Sequence, residues 1–198
     1  MMKKIISILL VIVSALLIVS CGTAKQDEDL SSTQDGTFAL TIPGWLTPRM
    51  HLGKVEKKYE QAPNETEFLK KTELGHEKLT YLGYEKSTAL YAGQSADFDT
   101  VFGFDKDNKC ISMSYNYYVP FGGDYTYLLT LFDTIRKELT AIHGDGIEDG
   151  HVVDYEEGSA LAHGIEIGEY TQNITWELED FTLSVYIDKH LTVFYNFE

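Results

Sequence analysis

The chain has 198 residues, with 16 Lys and Arg against 31 Asp and Glu, a formal charge of −15, and 13% of it is aromatic, including thirteen Tyr. That length and aromatic content are enough for a hydrophobic core, in one domain of ordinary size or two small ones. A polyanion of this kind repels nucleic acid and anionic lipid headgroups, which removes nucleic-acid binding from the expected functions.

Lys3 and Lys4 precede a run, residues 5–19, that is apolar except for Ser14. The run is shorter than the ~20 apolar residues a membrane-spanning helix needs. A short positive region followed by such a run is the layout of a secretory signal, which is set aside before fold reasoning. Ile18-Val19-Ser20-Cys21 resembles the lipobox of bacterial lipoproteins. The resemblance implies that residues 1–20 are a signal peptide cut away before Cys21. It implies that the Cys21 thiol is alkylated by diacylglycerol, and that the protein is held on the extracytoplasmic face of the cell membrane through this fatty-acyl anchor. The alternative is an uncleaved signal anchor with an incidental cysteine. Loss of Lys3 and Lys4 leaves fourteen cations against 31 carboxylates, a mature charge of −17. With Cys21 acylated, Cys110 has no cysteine to pair with, so no intramolecular disulfide is expected. Residues 21–36 are polar and read as a disordered tether between lipid and domain.

Order is expected from Phe38. Residues 38–42, "FALTI", read as a short strand. Thr47 and Pro48 have the chemistry of an N-cap and a first helical position, and Leu52, Val55 and Tyr59 continue at helical spacing, with Gly53 weakening that helix. Residues 62–75 are polar and carry no clear pattern. Strands are predicted at 78–84, 89–93, 98–104 and 110–117, with "DKDNK" (105–109) as the turn between the last two. Asp124 caps the clearest helix, whose apolar stripe is Leu128, Leu131, Phe132, Ile135, Leu139 and Ile142, with Gly144 at its end. The remainder, from Val152, reads as strand-rich. It includes a strand at 174–178 and strict alternation at Phe181, Leu183, Val185 and Ile187. The same alternation recurs at Leu191, Val193, Tyr195 and Phe197, after a tight turn at Asp188-Lys189.

A shift of 80 residues places Leu52, Val55 and Tyr59 on Phe132, Ile135 and Leu139, and Ile111, Met113, Tyr115 and Tyr117 on Leu191, Val193, Tyr195 and Phe197. The expected fold class is therefore α+β, an antiparallel sheet or sheets with two main helices. It divides into two tandem helix-plus-meander halves, 37–120 and 121–198, or into amphipathic elements that align by chance. The layout resembles small bacterial lipoproteins with one or two such units, as in the β-lactamase-inhibitor-protein fold and the small lipoproteins of outer-membrane assembly. It also resembles uncharacterised Gram-positive lipoproteins. In "GWLTPRMHLGKVEKKY" (44–59), Gly44, Thr47 and Val55 match the opening helix of these proteins, although Trp45 and Leu46 both fill the gap between Gly and Thr. The resemblance implies a binding or envelope-assembly role and carries over no active site.

Several residue groups have chemistry of their own. "HGDGIEDGH" (143–151) gathers His143, Asp145, Glu148, Asp149 and His151, plausible metal ligands. The plainer reading is a helix C-terminus running into an acidic Gly-rich turn, with His143 near the negative end of the helix dipole, and no ligand spacing matches a known site. "DKDNK" begins like a calcium loop but has Lys109 at a ligand position, which favours a hairpin turn. No His-Glu-x-x-His, Gly-x-Ser-x-Gly or Gly-Lys-Ser/Thr sequence is present. Ser95 and Ser159 read as loop serines. Cys110 falls on the Ser112-Ser114-Asn116 side of its strand and reads as a packing residue. Asn64-Glu65-Thr66 and Asn173-Ile174-Thr175 fit the glycosylation pattern, which has no consequence in a bacterial host. No cofactor-binding motif is recognised.

The favoured function is thus non-enzymatic binding of a protein or cell-wall polymer by a membrane-anchored lipoprotein. The alternative is a metal-dependent or hydrolytic extracytoplasmic enzyme using the loop at 143–151, and a solute-binding receptor ranks third. If the helices cover one sheet face, Ser112, Ser114, Asn116, Thr192, Phe194 and Asn196 face water. Tyr186 and Phe194 are then exposed aromatics on the expected binding face. For the anchor, radiolabelled fatty acid should mark the wild-type protein and leave a Cys21→Ser variant unlabelled. Equal label in both refutes the lipobox assignment.

Overall fold

The computed structural model describes residues 39–59, 64–72, 75–91, 94–150 and 159–197. The expected signal peptide (1–20) and tether (21–36) lie outside the described residues. Among the described residues eight strands form one antiparallel sheet: β1 (Asn64–Thr72), β2 (Gly75–Tyr91), β3 (Gln94–Phe104), β4 (Cys110–Tyr118), β5 (Ile147–Asp149), β6 (Gln172–Glu177), β7 (Thr182–Ile187) and β8 (His190–Asn196). Their spatial order is β1-β2-β3-β4-β8-β7-β6-β5. The described helices are α1 (Leu52–Glu56), α2 (Tyr125–His143) and α3 (Ser159–Ile167). The class is α+β, as the alternation of the strands predicts. The two meanders are continuous, because β4 and β8 pair with each other.

The core lies on one face of this sheet. Leu82, Phe102, Met113, Tyr195, Leu183 and Trp176 stand side by side across six strands. A second row runs through Tyr84, Thr100, Tyr115, Val193, Val185 and Ile174, and both rows are buried. Period-two alternation sets this: every second residue of an antiparallel strand meets the same face. Each of the larger side chains gains about 1.5–3 kcal/mol from leaving water. The stripe of α2, Leu128, Leu131, Phe132, Ile135 and Leu139, is buried, and α2 lies against α3, β7 and β8. Its start is capped as predicted, with Asp124 Oδ1 accepting from Thr126 N at 2.7 Å. Its end is Gly144, at φ 81°, a conformation glycine adopts without steric cost. The Gly144 carbonyl accepts from Trp176 Nε1 at 2.8 Å, tying the helix end to β6.

Five expectations are corrected. Residues 39–42 form no strand; Leu40 is nevertheless fully buried. The first helix does not start at Thr47-Pro48. Arg49 has a positive φ of 65°, and residues 49–52 pair with the β3–β4 turn through Arg49 N to Cys110 O (2.9 Å), Cys110 N to Met50 O (2.8 Å) and Leu52 N to Asn108 O (2.9 Å). This pairing occupies the backbone that an earlier helix start would need. The helix shrinks to one turn, capped by His51 Nδ1, which accepts from Gly53 N. Tyr59 lies beyond it and stacks on Tyr84 at 3.7 Å. Ile142 is exposed, because residues 141–145 at the end of α2 are all exposed. In the stretch after Val152 expected to be strand-rich, residues 159–167 are helical, burying Ala162 and Ile165. Residues 151–158 lie outside the described residues. Finally, Cys110 turns into the core and not toward Ser112 and Ser114. Phe104 pairs with Cys110 but Gly103 with Ser112, so Ile111 is the extra residue of a β-bulge. Cys110 therefore joins Phe104 in the core.

In the β4–β8 ladder, positions related by a shift of 80 residues lie near one another. Ser114 opposes Phe194, its own counterpart under the shift; Met113 opposes Tyr195 and Tyr115 opposes Val193, two pairs that the shift exchanges. A local two-fold axis, which any antiparallel pair of strands has, passes through the Ser114–Phe194 pair. The halves depart from each other further out. Met113 opposes Phe102 and its counterpart Val193 opposes Val185, so β3 and β7 correspond at a shift of 83. Only the second half places a helix, α3, between its first two strands.

Two tyrosines related by the shift anchor the segment leading into the domain. Tyr115 Oη donates to Thr41 O at 2.8 Å and Tyr195 Oη to Leu40 O at 2.6 Å. Burial pushes both phenols far above their ordinary value, so both stay protonated donors. Removing either hydroxyl leaves a carbonyl without its partner. Tyr195→Phe should cost about 2 kcal/mol, since donor and acceptor are both buried, and Tyr115→Phe about 1 kcal/mol. Urea unfolding of the two variants measures this.

Candidate functional site

The second face of the sheet carries the side chains that alternate with the core. One row runs Val101, Ser114, Phe194, Ser184, Thr175; a parallel row runs Asp99, Asn116, Thr192, Tyr186, Asn173. Hydrogen bonds knit this face together. Thr192 Oγ1 donates to Asn116 Oδ1 at 2.8 Å, Asn116 Nδ2 donates to Ser114 Oγ at 3.0 Å, and the Thr175 and Ser184 hydroxyls are 3.0 Å apart. The helices contribute to the core on the opposite face.

The face is less open than the sequence predicts. Ser112, Ser114 and Asn116 are only 6–8% exposed. They are short side chains on a central strand, and Ser114 sits directly between Val101 and Phe194. The taller neighbours close over it. Thr192, Phe194, Asn196 and Tyr186 are half-buried rather than freely exposed. Phe194 is thus an aromatic set flush into a hydroxyl- and amide-lined surface.

Tyr186 belongs to a cluster that sequence reasoning did not assemble. His190 Nδ1 lies 2.7 Å from Asp188 Oδ1, which also accepts from the His190 backbone N–H at 3.0 Å. Tyr186 Oη donates to Asp188 Oδ2 at 3.2 Å. The His190 ring stacks on Tyr118 at 5.4 Å and meets Tyr186 edge-on at 6.3 Å. Tyr118 is 55% exposed and pairs with His190 across the β4–β8 ladder. Burial, with the charge of Asp188, raises both phenols, so they remain donors above neutral pH. The His190 side chain is 33% exposed. The only local signal was the tight turn at Asp188-Lys189. The turn aims Asp188 back at residue 190, but the approach of Tyr118 depends on pairing between strands more than seventy residues apart.

The other candidates are dispersed. His143 is the last residue of α2, Asp145 is exposed beyond it, and Asp149 lies on β5 opposite Asn173. Glu148 approaches Arg136 at 3.8 Å. His151 lies outside the described residues, and among the described residues no three His, Cys, Asp or Glu side chains converge as metal ligands. The 105–109 segment is a hairpin turn. Asp105 Oδ1 accepts from the backbone of Asp107 and Lys109, both at 2.9 Å, and Oδ2 pairs with Arg49 at 3.0 Å. Burial pushes the Cys110 thiol up to about 12, which suits a packing residue and not a nucleophile. Ser95 is exposed on β3 and Ser159 begins α3. Asn64 and Asn173 lie on strands β1 and β6. Cys21 lies outside the described residues.

No protein-family model, curated protein or solved structure matches the chain. The resemblance to small bacterial lipoproteins therefore stands on the sequence features alone.

The two faces of β8 should respond differently to substitution. Val193→Ser puts a hydroxyl into the core and removes buried methyls, at about 3 kcal/mol. Phe194→Ser on the half-buried face should cost less than half of that. Equal costs in urea melts exclude the second face as an accessible surface.

Proposed function

We propose that this protein is a lipid-anchored extracytoplasmic lipoprotein that binds a protein or cell-wall polymer without transforming it. The address rests on the positive region, the short apolar run and the lipobox-like Ile18-Val19-Ser20-Cys21. The binding reading is carried by one observation: the helices and the core occupy one sheet face, while the other presents Phe194, Tyr186, Tyr118 and His190 over a hydrogen-bonded polar floor. Aromatic groups in a polar surround are what recognition surfaces use. They offer large contact area for little lost rotamer freedom, and polar neighbours set orientation. The absence of recognised catalytic motifs in the sequence favours binding over turnover.

In this reading the lipid fixes where the domain works and the sheet face sets what it captures. Photo-crosslinking in cells tests the second part. A benzophenone amino acid at Phe194 or Tyr186 should give a discrete adduct with a protein or wall fragment. The same probe at Lys137, exposed on α2, should give none. Equal yields at all three positions, or none, refute the assignment of this face.

A further inference from the structure

The negative charge is not spread evenly. Residues 49–58 and 105–109 hold six of the sixteen Lys and Arg of the chain, Arg49, Lys54, Lys57, Lys58, Lys106 and Lys109, against the three carboxylates of Glu56, Asp105 and Asp107. The fold joins the two segments. Leu52 N donates to Asn108 O, His51 bridges to Lys109, and Arg49 pairs with Asp105. Asp105 is 7% exposed, with its carboxylate taken up by two backbone N–H groups and Arg49, so it projects little charge outward. Lys54, Lys57, Lys58 and Lys106 are exposed. Lys54 and Lys57 line an open depression together with His51, Gly53 and Glu56. Lys58 Nζ stands 5.6 Å over the ring of half-buried Trp45. A basic pole with an indole at its edge thus sits on an otherwise strongly acidic chain.

We propose that this pole docks on the anionic headgroups of the membrane, orienting the domain on its own anchor. The proposal rests on the lipid-anchor reading. Three observations select the bilayer over a soluble anion. First, the pole adjoins the point where the chain enters the domain, since Leu40 is pinned by Tyr195 and Arg49 follows nine residues later. Second, residues 22–38 reach at most about 60 Å even when fully extended, so an anchored pole meets the surface at high effective concentration and weak contacts suffice. Third, the charge is uneven: these two segments carry six cations against three carboxylates, while the rest of the chain carries ten against 28. An anionic surface attracts the lysines within a Debye length and repels the remaining acidic surface, which selects one orientation. Trp45, packed against Tyr59 and Phe102 with Lys58 over its ring, is placed to report the approach of this patch to the bilayer. The mean charge alone predicts repulsion from such headgroups; its distribution predicts contact through one end.

The test uses the full chain in two arms, with Trp176→Phe leaving Trp45 as the single tryptophan. In the first arm, protein extracted from membranes is reconstituted into vesicles of phosphatidylcholine, alone or with phosphatidylglycerol, carrying brominated lipid. Trp45 should be quenched in the anionic vesicles, spared in the neutral ones, and released by high salt. In the second arm, the full mature chain (residues 21–198) carrying Cys21→Ser, and so without the apolar run, is floated with the same vesicles. Lys54→Gln/Lys57→Gln/Lys58→Gln should lower its partition into anionic vesicles by roughly fivefold per lysine, with an unchanged thermal melt. This arm reports the pole without the lipid. Lysine-dependent flotation alongside an unlabelled Cys21 supports docking while refuting the anchor. Equal quenching in neutral and anionic vesicles, or unchanged flotation of the triple variant, overturns docking. Displacement from vesicles by a soluble acidic wall polymer at low concentration overturns it in favour of a polymer site.

Discussion

The rest of the structure depends on the antiparallel ladder between β4 and β8. It joins two meanders into one sheet and places the closing strand of each half in the middle, where both faces are defined by neighbours. A one-residue slip there would turn Met113, Tyr115, Val193 and Tyr195 out of the core together. The same register points Tyr115 and Tyr195 at a single stretch of backbone, Leu40 and Thr41, so the segment leading into the domain is held by both halves at once. It also brings Tyr118 onto His190 at the far end of the pair. Core, lead-in and candidate binding cluster all follow from one set of strand pairings.

Elements governed by local periodicity were legible from sequence. The α2 stripe from Leu128 to Leu139 with Asp124 and Gly144 at the helix ends, the turn at 105–109, and the alternation of β7 and β8 all stand where the pattern put them. Failures came where a distant backbone competed. Thr47-Pro48 has good capping chemistry, but residues 49–52 pair with a hairpin turn almost sixty residues away. Long-range pairing overrides propensity of a few tenths of a kcal/mol per residue. The β-bulge at Ile111 reverses the facing of Cys110, and period-two reasoning has no means of seeing an inserted residue. Helix α3 had a readable signal in Leu161, Ala162 and Ile165, with Gly168 at φ 81° just beyond its end. A central Gly164 and the strand-rich surroundings obscured it. In the candidate site, Phe194 and Tyr186 were placed on the correct face by alternation, while the His190 cluster required knowledge of which strand lies beside which.

Charge gives a parallel lesson. A formal −15 describes the chain as a whole, yet folding gathers Arg49, Lys54, Lys57 and Lys58 with Lys106 and Lys109 because the α1 region lies against the β3–β4 turn. The gathering uses the same backbone pairing that shortened the first helix. A local structural compromise and a local electrostatic feature therefore have one origin.

β4 begins at this basic end and finishes at Tyr118 beside His190. An antiparallel strand rises about 3.4 Å per residue, so Cys110 and Tyr118 are separated by roughly 27 Å. At physiological salt the screening length is about 8 Å. More than three such lengths of sheet stand between the lysines and the Asp188–His190 pair. Charge met through solvent at one end of β4 is thus largely screened before it reaches the other, so the two ends of this strand face the surrounding electrolyte as separate local surfaces.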